Sequence, residues 1–366
     1  MFHQNNTNAL EKGRFFIVKI MNVDYIIVGF GLSGLCLAEK LRREHKTFVV
    51  YDNQSQDASL VAGGIFNPVI LKRFTLAWNA QEQAPLAKDF YTELEQYLGV
   101  KLVKALPILR RFNSLEEQNN WFDAADKTFL EDYLNTSLIK EVEGVNSSYS
   151  FGKVVGTGIL DTNRLVAAYK EKLLNENLLV EKSFDYDELS MDSSKVNYKE
   201  ITAKQIVFCE GFGLKQNPYF DHLQLVGNKG EYITIKCDGL ELKDSMLKFS
   251  LFVIPLGDQL FKVGATYNRD FQDRYATSEA KEEIVSKLEK VLSVPFEVVK
   301  QEAGVRPTTK DRRPLLGQHP TYKNIYVNNG FGSRGIIMAP SAANWMFNFI
   351  EKGIELPKEV DIKRFY

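Results

Sequence analysis

The sequence predicts an α/β fold in which a Rossmann-like βαβ unit carries an inserted antiparallel sheet, and three observations support this prediction. Residues 24–52 contain an apolar strand, a glycine turn, a helix and a second strand in that order. Residues 201–211 contain another apolar strand that ends in glycine, which is typical of a central strand opening onto a ligand. Segments 231–236, 251–255 and 260–266 have the alternation of antiparallel strands.

The βαβ unit contains the glycine pattern of dinucleotide-binding turns. Gly29 permits a tight turn, Gly31 lets the backbone approach a pyrophosphate, and Gly34 lets the helix pack closely on the strand. Asp52 ends the second strand, where an acid can accept hydrogen bonds from an adenosine ribose. This order of elements predicts a dinucleotide site rather than a chance cluster of glycines. The neighbouring candidate residues are Phe30, Leu32, Ser33 and Asn53.

Periodicity and capping signals predict the elements that follow. Residues 58–68 are small and include paired glycines, which bring the backbone close to a flat or charged ligand, although a flexible loop has the same composition. Apolar spacing predicts helices over 80–98 and after 161, with a strand over 106–112. A capping box of Ser114 and Glu117 opens a further helix. The two apolar helix faces consist of Leu86, Phe90, Leu94 and Leu98, and of Leu165, Val166, Tyr169 and Leu173.

Composition narrows the class of protein. The 366 residues suffice for two domains or for one domain with an inserted lobe. A formal net charge of −1 gives no general reason to expect a polyanionic partner. Three separated cysteines and four scattered histidines predict neither disulfides nor a metal site, and a cytoplasmic location fits best. No apolar run approaches the ~20 residues that span a bilayer, and residues 1–20, which lack a secretory signal, are expected to form a mobile extension.

Two C-terminal segments complete a resemblance to a known family. Residues 303–317 read Ala-Gly-Val-Arg-Pro-Thr-Thr-Lys-Asp-Arg-Arg-Pro-Leu-Leu-Gly, and residues 330–340 read Gly-Phe-Gly-Ser-Arg-Gly-Ile-Ile-Met-Ala-Pro. Together with the glycine turn, the Ala-Gly-Gly-Ile segment at 62–65 and the strands at 252–266, they resemble the D-amino-acid-oxidase (DAO) family of FAD-dependent oxidoreductases, which contains glycine oxidase and sarcosine oxidase. The motifs occur in the family's order and extend over about residues 22–352.

The resemblance implies a glutathione-reductase-type FAD-binding domain and a substrate domain. FAD is expected to bind non-covalently, because no cysteine stands where relatives attach their flavin. The implied FAD-binding domain comprises 21–80, 150–220 and 305–366, and the substrate domain comprises 81–149 and 221–304. The segment from Gly332 to Ile336 is expected to open the last helix towards the flavin. The FAD-binding residues implied beyond the glycine turn and its neighbours are Ser59, Ala62, Gly63, Gly64, Ile65, Cys209, Gly211, Gly332, Ser333, Arg334, Gly335 and Ile336.

The resemblance also implies how a substrate binds. Arg306 is expected to bind a substrate carboxylate through two charge-assisted hydrogen bonds, although pairing with Asp311 or with a carboxylate at the domain interface is the alternative. Hydride transfer from a neutral amine to flavin N5 needs orientation rather than a general base. Phe252 stands where glycine-oxidase relatives often have a tyrosine that helps to bind the carboxylate. Tyr267 is expected either to line this pocket or to pack at a strand end.

The predicted function is the oxidation of the C–N bond of a small amino or imino acid. A second interpretation follows from Gly-Ser-Arg-Gly, which is more similar to the oxidase half of the enzyme that modifies wobble uridines in tRNA and removes a carboxymethyl group from a secondary amine. Basic residues support it if they share a face and form a phosphate track, and otherwise they are simply solvated. These residues are Lys72, Arg73, Arg110, Arg111, Lys310, Arg312 and Arg313. A third interpretation is a non-catalytic FAD-binding protein.

Overall fold

The structure is a computed structural model that describes residues 21–192 and 194–366; the predicted extension, residues 1–20, lies outside the described residues. The helices are α1 (Leu32–Arg43), α2 (Ala58–Val61), α3 (Ala80–Leu98), α4 (Leu115–Ala125), α5 (Thr162–Asn175), α6 (Ser278–Glu289) and α7 (Gly335–Lys352). The strands are β1 (Met21–Val28), β2 (Phe48–Tyr51), β3 (Ile65–Phe66), β4 (Val69–Ile70), β5 (Thr75–Leu76), β6 (Val103–Ala105), β7 (Ile108–Arg111), β8 (Leu134–Ile139), β9 (Phe151–Val154), β10 (Gly158–Leu160), β11 (Leu179–Val180), β12 (Leu189–Met191), β13 (Val196–Tyr198), β14 (Ile201–Phe208), β15 (Leu225–Lys236), β16 (Met246–Lys248), β17 (Phe252–Gly257), β18 (Leu260–Gly264), β19 (Glu297–Thr309), β20 (Leu315–Gln318) and β21 (Ile325–Asn329). Three 3-10 helices cover Tyr186–Glu188, Gly211–Gln216 and Ile362–Phe365.

The first sheet has eight strands, and its centre is parallel. β1 pairs in parallel with β2 on one side and with β14 on the other, and β14 pairs in parallel with β21. The side chains of Tyr25, Ile26 and Ile27 are fully buried, as expected for a strand that is covered on both faces. The βαβ unit and the central strand predicted from the sequence are therefore confirmed. Their carboxyl ends meet at one edge of the sheet.

The second sheet also has eight strands, in the order β19-β15-β18-β17-β16-β7-β9-β8. Its pairs are antiparallel except for β16 with β7, so the predicted antiparallel sheet is confirmed. α6 packs on one face through Ile284 and Leu288, and α4 packs on the other through Trp121. The long pair β15 and β19 runs from Lys236 and Glu297 to Leu225 and Thr309, and its far end lies beside the 3-10 helix that follows β14.

Several elements disagree with the predicted domain boundaries. β19 stays paired in the second sheet as far as Thr309, although residues from 305 onwards were expected in the FAD-binding domain. α3 was expected in the substrate domain, yet Phe90, Tyr91 and Leu94 pack into the same core as α1, α5 and α7. β9 was expected in the FAD-binding domain, yet it pairs with β7 and β8 in the second sheet. Periodicity predicts that a helix has an apolar face, but it does not say which sheet that face covers. Within the described residues, no helix is long and apolar enough to cross a membrane.

Candidate active site

A cavity of about 500 Å³ lies where the two sheets meet, at the carboxyl ends of β1, β2, β14 and β21. Asp52 and Asn53 line it at the first sheet, and Arg306, Tyr267 and Phe252 line it at the second sheet. Every predicted site residue except Gly34 lines this cavity. The remaining predicted residues are Gly29, Phe30, Gly31, Leu32, Ser33, Ser59, Ala62, Gly63, Gly64, Ile65, Cys209, Gly211, Gly332, Ser333, Arg334, Gly335 and Ile336.

The glycine turn requires glycine for steric reasons. Gly29 has a φ of +97°, and a Cβ there would lie 2.5 Å from the carbonyl oxygen of Cys209. A Cβ on Gly34 would lie 1.9 Å from the carbonyl oxygen of Gly29, so this glycine permits close packing beneath the cavity rather than lining it. The N-cap of α1 is Gly31, which offers no side-chain acceptor to the first turn, although the N–H of Leu32 donates to Ser59 Oγ (3.1 Å). The other N–H groups at this helix start are arranged to receive an anionic group.

Asp52 is fixed at the end of β2 by two backbone donors. Its carboxylate accepts hydrogen bonds from the N–H groups of Phe30 (3.1 Å) and Gln54 (3.2 Å). Burial raises the pKa of Asp52, and these hydrogen bonds oppose the rise. The acid thus orders the glycine turn in addition to facing the cavity, a structural role that the sequence pattern did not reveal.

Glu210 is a buried acid in the cavity wall that the sequence reasoning missed. It follows Cys209 at the end of β14 and accepts hydrogen bonds from the Tyr186 hydroxyl and from Asn217 Nδ2 (2.7 Å for the latter). Burial raises the pKa of Glu210 to about 7. The sequence did contain a signal for Glu210, because an acid directly follows an apolar strand there. Only the neighbouring Cys209 and Gly211 were predicted as site residues.

Arg306 lies on β19 with its guanidinium over the backbone of Gly230 on the neighbouring strand β15. A Cβ on Gly230 would lie 2.0 Å from Arg306 Nη2. Nη1 donates to the Thr266 carbonyl (3.3 Å) and makes a long contact with Asn228 Oδ1 (3.5 Å). The predicted alternative, a pair between Arg306 and Asp311, is wrong, because Asp311 pairs with the guanidinium of Arg364 (2.9 Å). Among the described residues Arg306 has neutral acceptors and no acidic partner.

Three aromatic residues line the same cavity as Arg306. The ring of Tyr267 lies 4.7 Å from the Arg306 guanidinium and is 70% exposed, so Tyr267 lines the cavity rather than packing within the sheet. Tyr232 and Phe252 both pair with Gly264 from opposite sides. Burial raises the pKa of Tyr232, whose protonated hydroxyl lies against Gly63. Sequence reasoning missed Tyr232, because strand alternation alone does not show which β15 side chains face a cavity.

The segment before α7 joins the two parts of the site. α7 begins at Gly335 with Arg334 as its N-cap, within the segment from Gly332 to Ile336 that was expected to open it, and Gly332 adopts a φ of +57°. The N–H of Gly332 donates to the carbonyl of Pro307, next to Arg306 (2.9 Å). This hydrogen bond holds the start of α7 beside the part of the cavity that Arg306 lines.

Within the described part of the chain, the structure shows neither a cluster of metal-binding side chains nor an ionised thiol at the cavity. No group of three or more histidine, cysteine, aspartate or glutamate side chains there could hold a metal ion. Cys209 lines the cavity, and burial raises its pKa to about 12, so it is a neutral thiol. The cavity residues instead fit a dinucleotide, with a helix start whose N-cap is glycine, a glycine turn that admits no Cβ at Gly29, and a buried acid after β2.

Comparison with known proteins agrees with this geometry. A sequence model of the DAO family, described as FAD dependent oxidoreductase, matches residues 24–348. The chain is 24% identical over 347 residues to glycine oxidase of Pseudomonas aeruginosa, covering 88% of this chain and 93% of that protein. It is 22% identical over 385 residues to the bifunctional tRNA 5-methylaminomethyl-2-thiouridine biosynthesis protein of Legionella pneumophila, covering 92% of this chain and 55% of that protein.

A crystal structure shows the same fold. Glycine oxidase from Geobacillus kaustophilus superposes with a TM-score of 0.72 at 19% identity, covering 91% of this chain and 95% of the other. The predicted α/β fold and the predicted cofactor, FAD, are confirmed, and the predicted family is the one whose model matches the chain. This chain belongs to the DAO family of FAD-dependent oxidoreductases.

Proposed function

We propose that this enzyme oxidises the C–N bond of an amino or imino acid and that Arg306 binds the substrate carboxylate. The observation that carries the proposal is the position of Arg306, whose guanidinium lines the cavity over Gly230 and has only neutral acceptors among the described residues. An arginine without an acidic partner retains its charge and its planar donors for a carboxylate. The glycine oxidase relatives support this assignment.

The residues of the first sheet are proposed to hold FAD. The start of α1 and Gly31 would receive the pyrophosphate, and Asp52 would accept hydrogen bonds from the ribose. The 62–65 segment and the start of α7 would border the flavin ring. When bound, FAD supplies the two-electron oxidant. The net reaction removes two electrons and two protons from the C–N unit, and water then hydrolyses the resulting imine to a carbonyl compound and an amine.

The substrate end of the cavity is suited to orienting an amine rather than to taking its proton. Arg306 would fix the carboxylate, and the hydroxyl of Tyr232 is a donor that can replace the tyrosine absent at Phe252. The half-buried ring of Phe252 would limit the access of water to the reacting carbon. No histidine lines the cavity in the described residues, and a neutral amine needs none.

A second candidate function is the oxidation of a modified uridine in tRNA. The relationship to the tRNA-modifying protein and the position of Arg334, which is the N-cap of α7 and lines the cavity, favour it. Two arginines of the predicted phosphate track use their donors within the protein and do not support phosphate binding. Arg110 is buried and bonded to Glu117, and the Arg111 guanidinium donates to the carbonyl of Asn146 (2.7 Å).

The test is anaerobic reduction of the bound flavin by an N-methyl amino acid and by the same amine without its carboxylate. Arg306→Lys keeps the charge and loses the planar donors, and Arg306→Met loses both, so reduction should fall stepwise for the amino acid alone. The methionine variant should lose about 2–5 kcal/mol of transition-state binding. Arg164→Met, on the exposed face of α5, is the matched control.

The possible results separate the candidate functions. Equal losses for both amines would make Arg306 a structural residue and remove the amino-acid proposal. Reduction of the wild-type flavin by hypomodified tRNA alone would favour the second candidate. A flavin that none of these compounds reduces would favour a non-catalytic role.

A further inference from the structure

The loop between β18 and α6, residues 268–276, has both of its ends fixed to strand β15. Where the loop ends, the buried carboxylate of Glu231 accepts hydrogen bonds from the N–H (2.8 Å) and the hydroxyl (2.9 Å) of Thr277. Where it begins, the N–H of Glu231 donates to Thr266 Oγ1 (3.0 Å), and Asn268 exchanges two backbone hydrogen bonds with Lys229 (2.8 and 2.9 Å). The two ends therefore lie side by side on one strand, as in the compact surface loops that often carry function.

The middle of this loop reaches the first sheet at two points. The ring of Phe271 packs edge-on against the ring of Phe212, with 5.7 Å between the centroids. The guanidinium of Arg274 donates a hydrogen bond to the backbone carbonyl of Ser55. Ser55 lies shortly after β2 and Phe212 shortly after β14, and both residues line the cavity. A loop of the second sheet thus holds two segments of the cavity wall that belong to the first sheet.

Strand β15 leaves room for the two stacked rings. A Cβ on Gly227 would lie 2.5 Å from Phe271 Cζ and 2.7 Å from Phe212 Cε2, so any other residue at this position would displace both rings. The remaining residues of the 268–276 loop are exposed, whereas Phe271 is half-buried. Because the loop has so few buried contacts, it can open without unfolding either sheet.

The closed loop and a bound FAD act on the same segments. Asp52, the proposed ribose acceptor, precedes Ser55 by three residues, and Gly211, which lines the cavity, directly precedes Phe212. Tyr267, at the start of the loop, belongs to the cavity wall at the second sheet. When a ligand and a loop both hold the same segments in place, each strengthens the binding of the other.

We propose that the 268–276 loop is a strap that closes against the first sheet and retains FAD, with Phe271 and Arg274 as positioning residues. They act on the cofactor through Phe212 and Ser55, and FAD leaves when these two contacts open. The inference rests on the proposed placement of FAD along the first sheet and not on the identity of the substrate.

The first test measures how fast FAD leaves the FAD-loaded enzyme. The enzyme is diluted, and the rise in fluorescence of released FAD is followed. Phe271→Ala and Arg274→Ala should each speed FAD release by about 2- to 10-fold and weaken FAD affinity by a similar factor, which is the scale of one aromatic pair or one hydrogen bond. Tyr275→Ala and Arg269→Ala are matched controls, because they remove exposed residues of the same types from the same loop and should leave FAD release unchanged.

The second test follows the opening of the loop itself. Trypsin cleaves after arginine, and Arg269 and Arg274 both lie in the loop. Cleavage at these residues should be slower in the FAD-loaded enzyme than in the flavin-free protein, because bound FAD favours the closed loop. FAD should protect Phe271→Ala less than it protects the wild type. Equal cleavage rates with and without saturating FAD would overturn the strap.

A purely structural role of Phe271 and Arg274 would give a different result. Each flavin-free variant is first shown to be folded at the assay temperature by circular dichroism. A lower melting temperature combined with unchanged FAD release would overturn the retention of FAD by the loop. If Asp52→Ala weakens FAD binding and the two loop variants do not, the placement of FAD stands and the strap falls. Unchanged FAD affinity in all three variants would remove both.

Discussion

A single methyl group added at Gly230 should disable Arg306 without disturbing FAD binding. In Gly230→Ala the new Cβ would lie 2.0 Å from Nη2 and 2.3 Å from Cζ of Arg306, well inside van der Waals contact. The conflicting atoms end a flexible side chain, so the guanidinium should move by about 1 Å or more while the backbone stays in place. A displacement of that size costs about 100-fold in rate, or about 2.7 kcal/mol of transition-state stabilisation.

The assay is single-turnover reduction of the flavin by a carboxylate-bearing amine, with FAD content and melting temperature measured on the same samples. The double variant Gly230→Ala, Arg306→Met provides the internal control, because the methionine side chain ends before the atoms that clash. The double variant should then lose about as much transition-state stabilisation as Arg306→Met alone, rather than the sum of the two single losses. Full activity in Gly230→Ala, or losses that add in the double variant, would refute the position and the role assigned to Arg306.

Three further predictions concern the FAD-binding end of the cavity. Gly31→Val should yield colourless protein, because its side chain would occupy the space kept for the pyrophosphate, and one FAD per purified chain would contradict this. Asp52→Ala should weaken FAD binding by about 1.5–3 kcal/mol, measured by flavin titration, and unchanged affinity would place the ribose elsewhere. Burial raises the pKa of Glu210 from 4.5 to about 7, so the free energy of unfolding of the flavin-free protein should fall by about 3 kcal/mol as pH rises through this interval. Glu210→Gln should remove that part of the slope in urea unfolding, whereas parallel pH curves for the two proteins would count against it.

The βαβ unit could be predicted because its information is local. The turn needs glycine at Gly29 for its positive φ and at Gly34 for its close contact, and both requirements appear directly as residue identities. The positions of Arg306 and of the segment before α7 in one cavity were predicted from the family resemblance rather than from residue spacing. Local motifs and the family resemblance together therefore predicted many of the residues that line the cavity.

The remaining features depend on contacts between distant segments. Tyr232 and Phe252 meet the cavity because both pair with Gly264, and only the register of three strands brings them together. The raised pKa of Glu210 reflects burial supplied by neighbouring elements, although Tyr186 and Asn217 partly oppose it. Whether α3 packs with the first or the second sheet likewise depends on which apolar surface lies next to it in the folded chain. None of these features has a local signal in the sequence.

The arginines show why residue identity alone could not assign roles in this chain. Arg110 and Arg306 both lie on strands of the second sheet and both resemble candidate anion binders in the sequence. Arg110 is buried and bonded to Glu117 and to the Phe249 carbonyl (2.7 Å), so its donors are used within the protein. Arg306 faces neutral acceptors, and the acid nearest in sequence, Asp311, is bound by Arg364 instead. Because a buried charge needs a counter-charge, an arginine without one in the protein is the one suited to take it from a ligand.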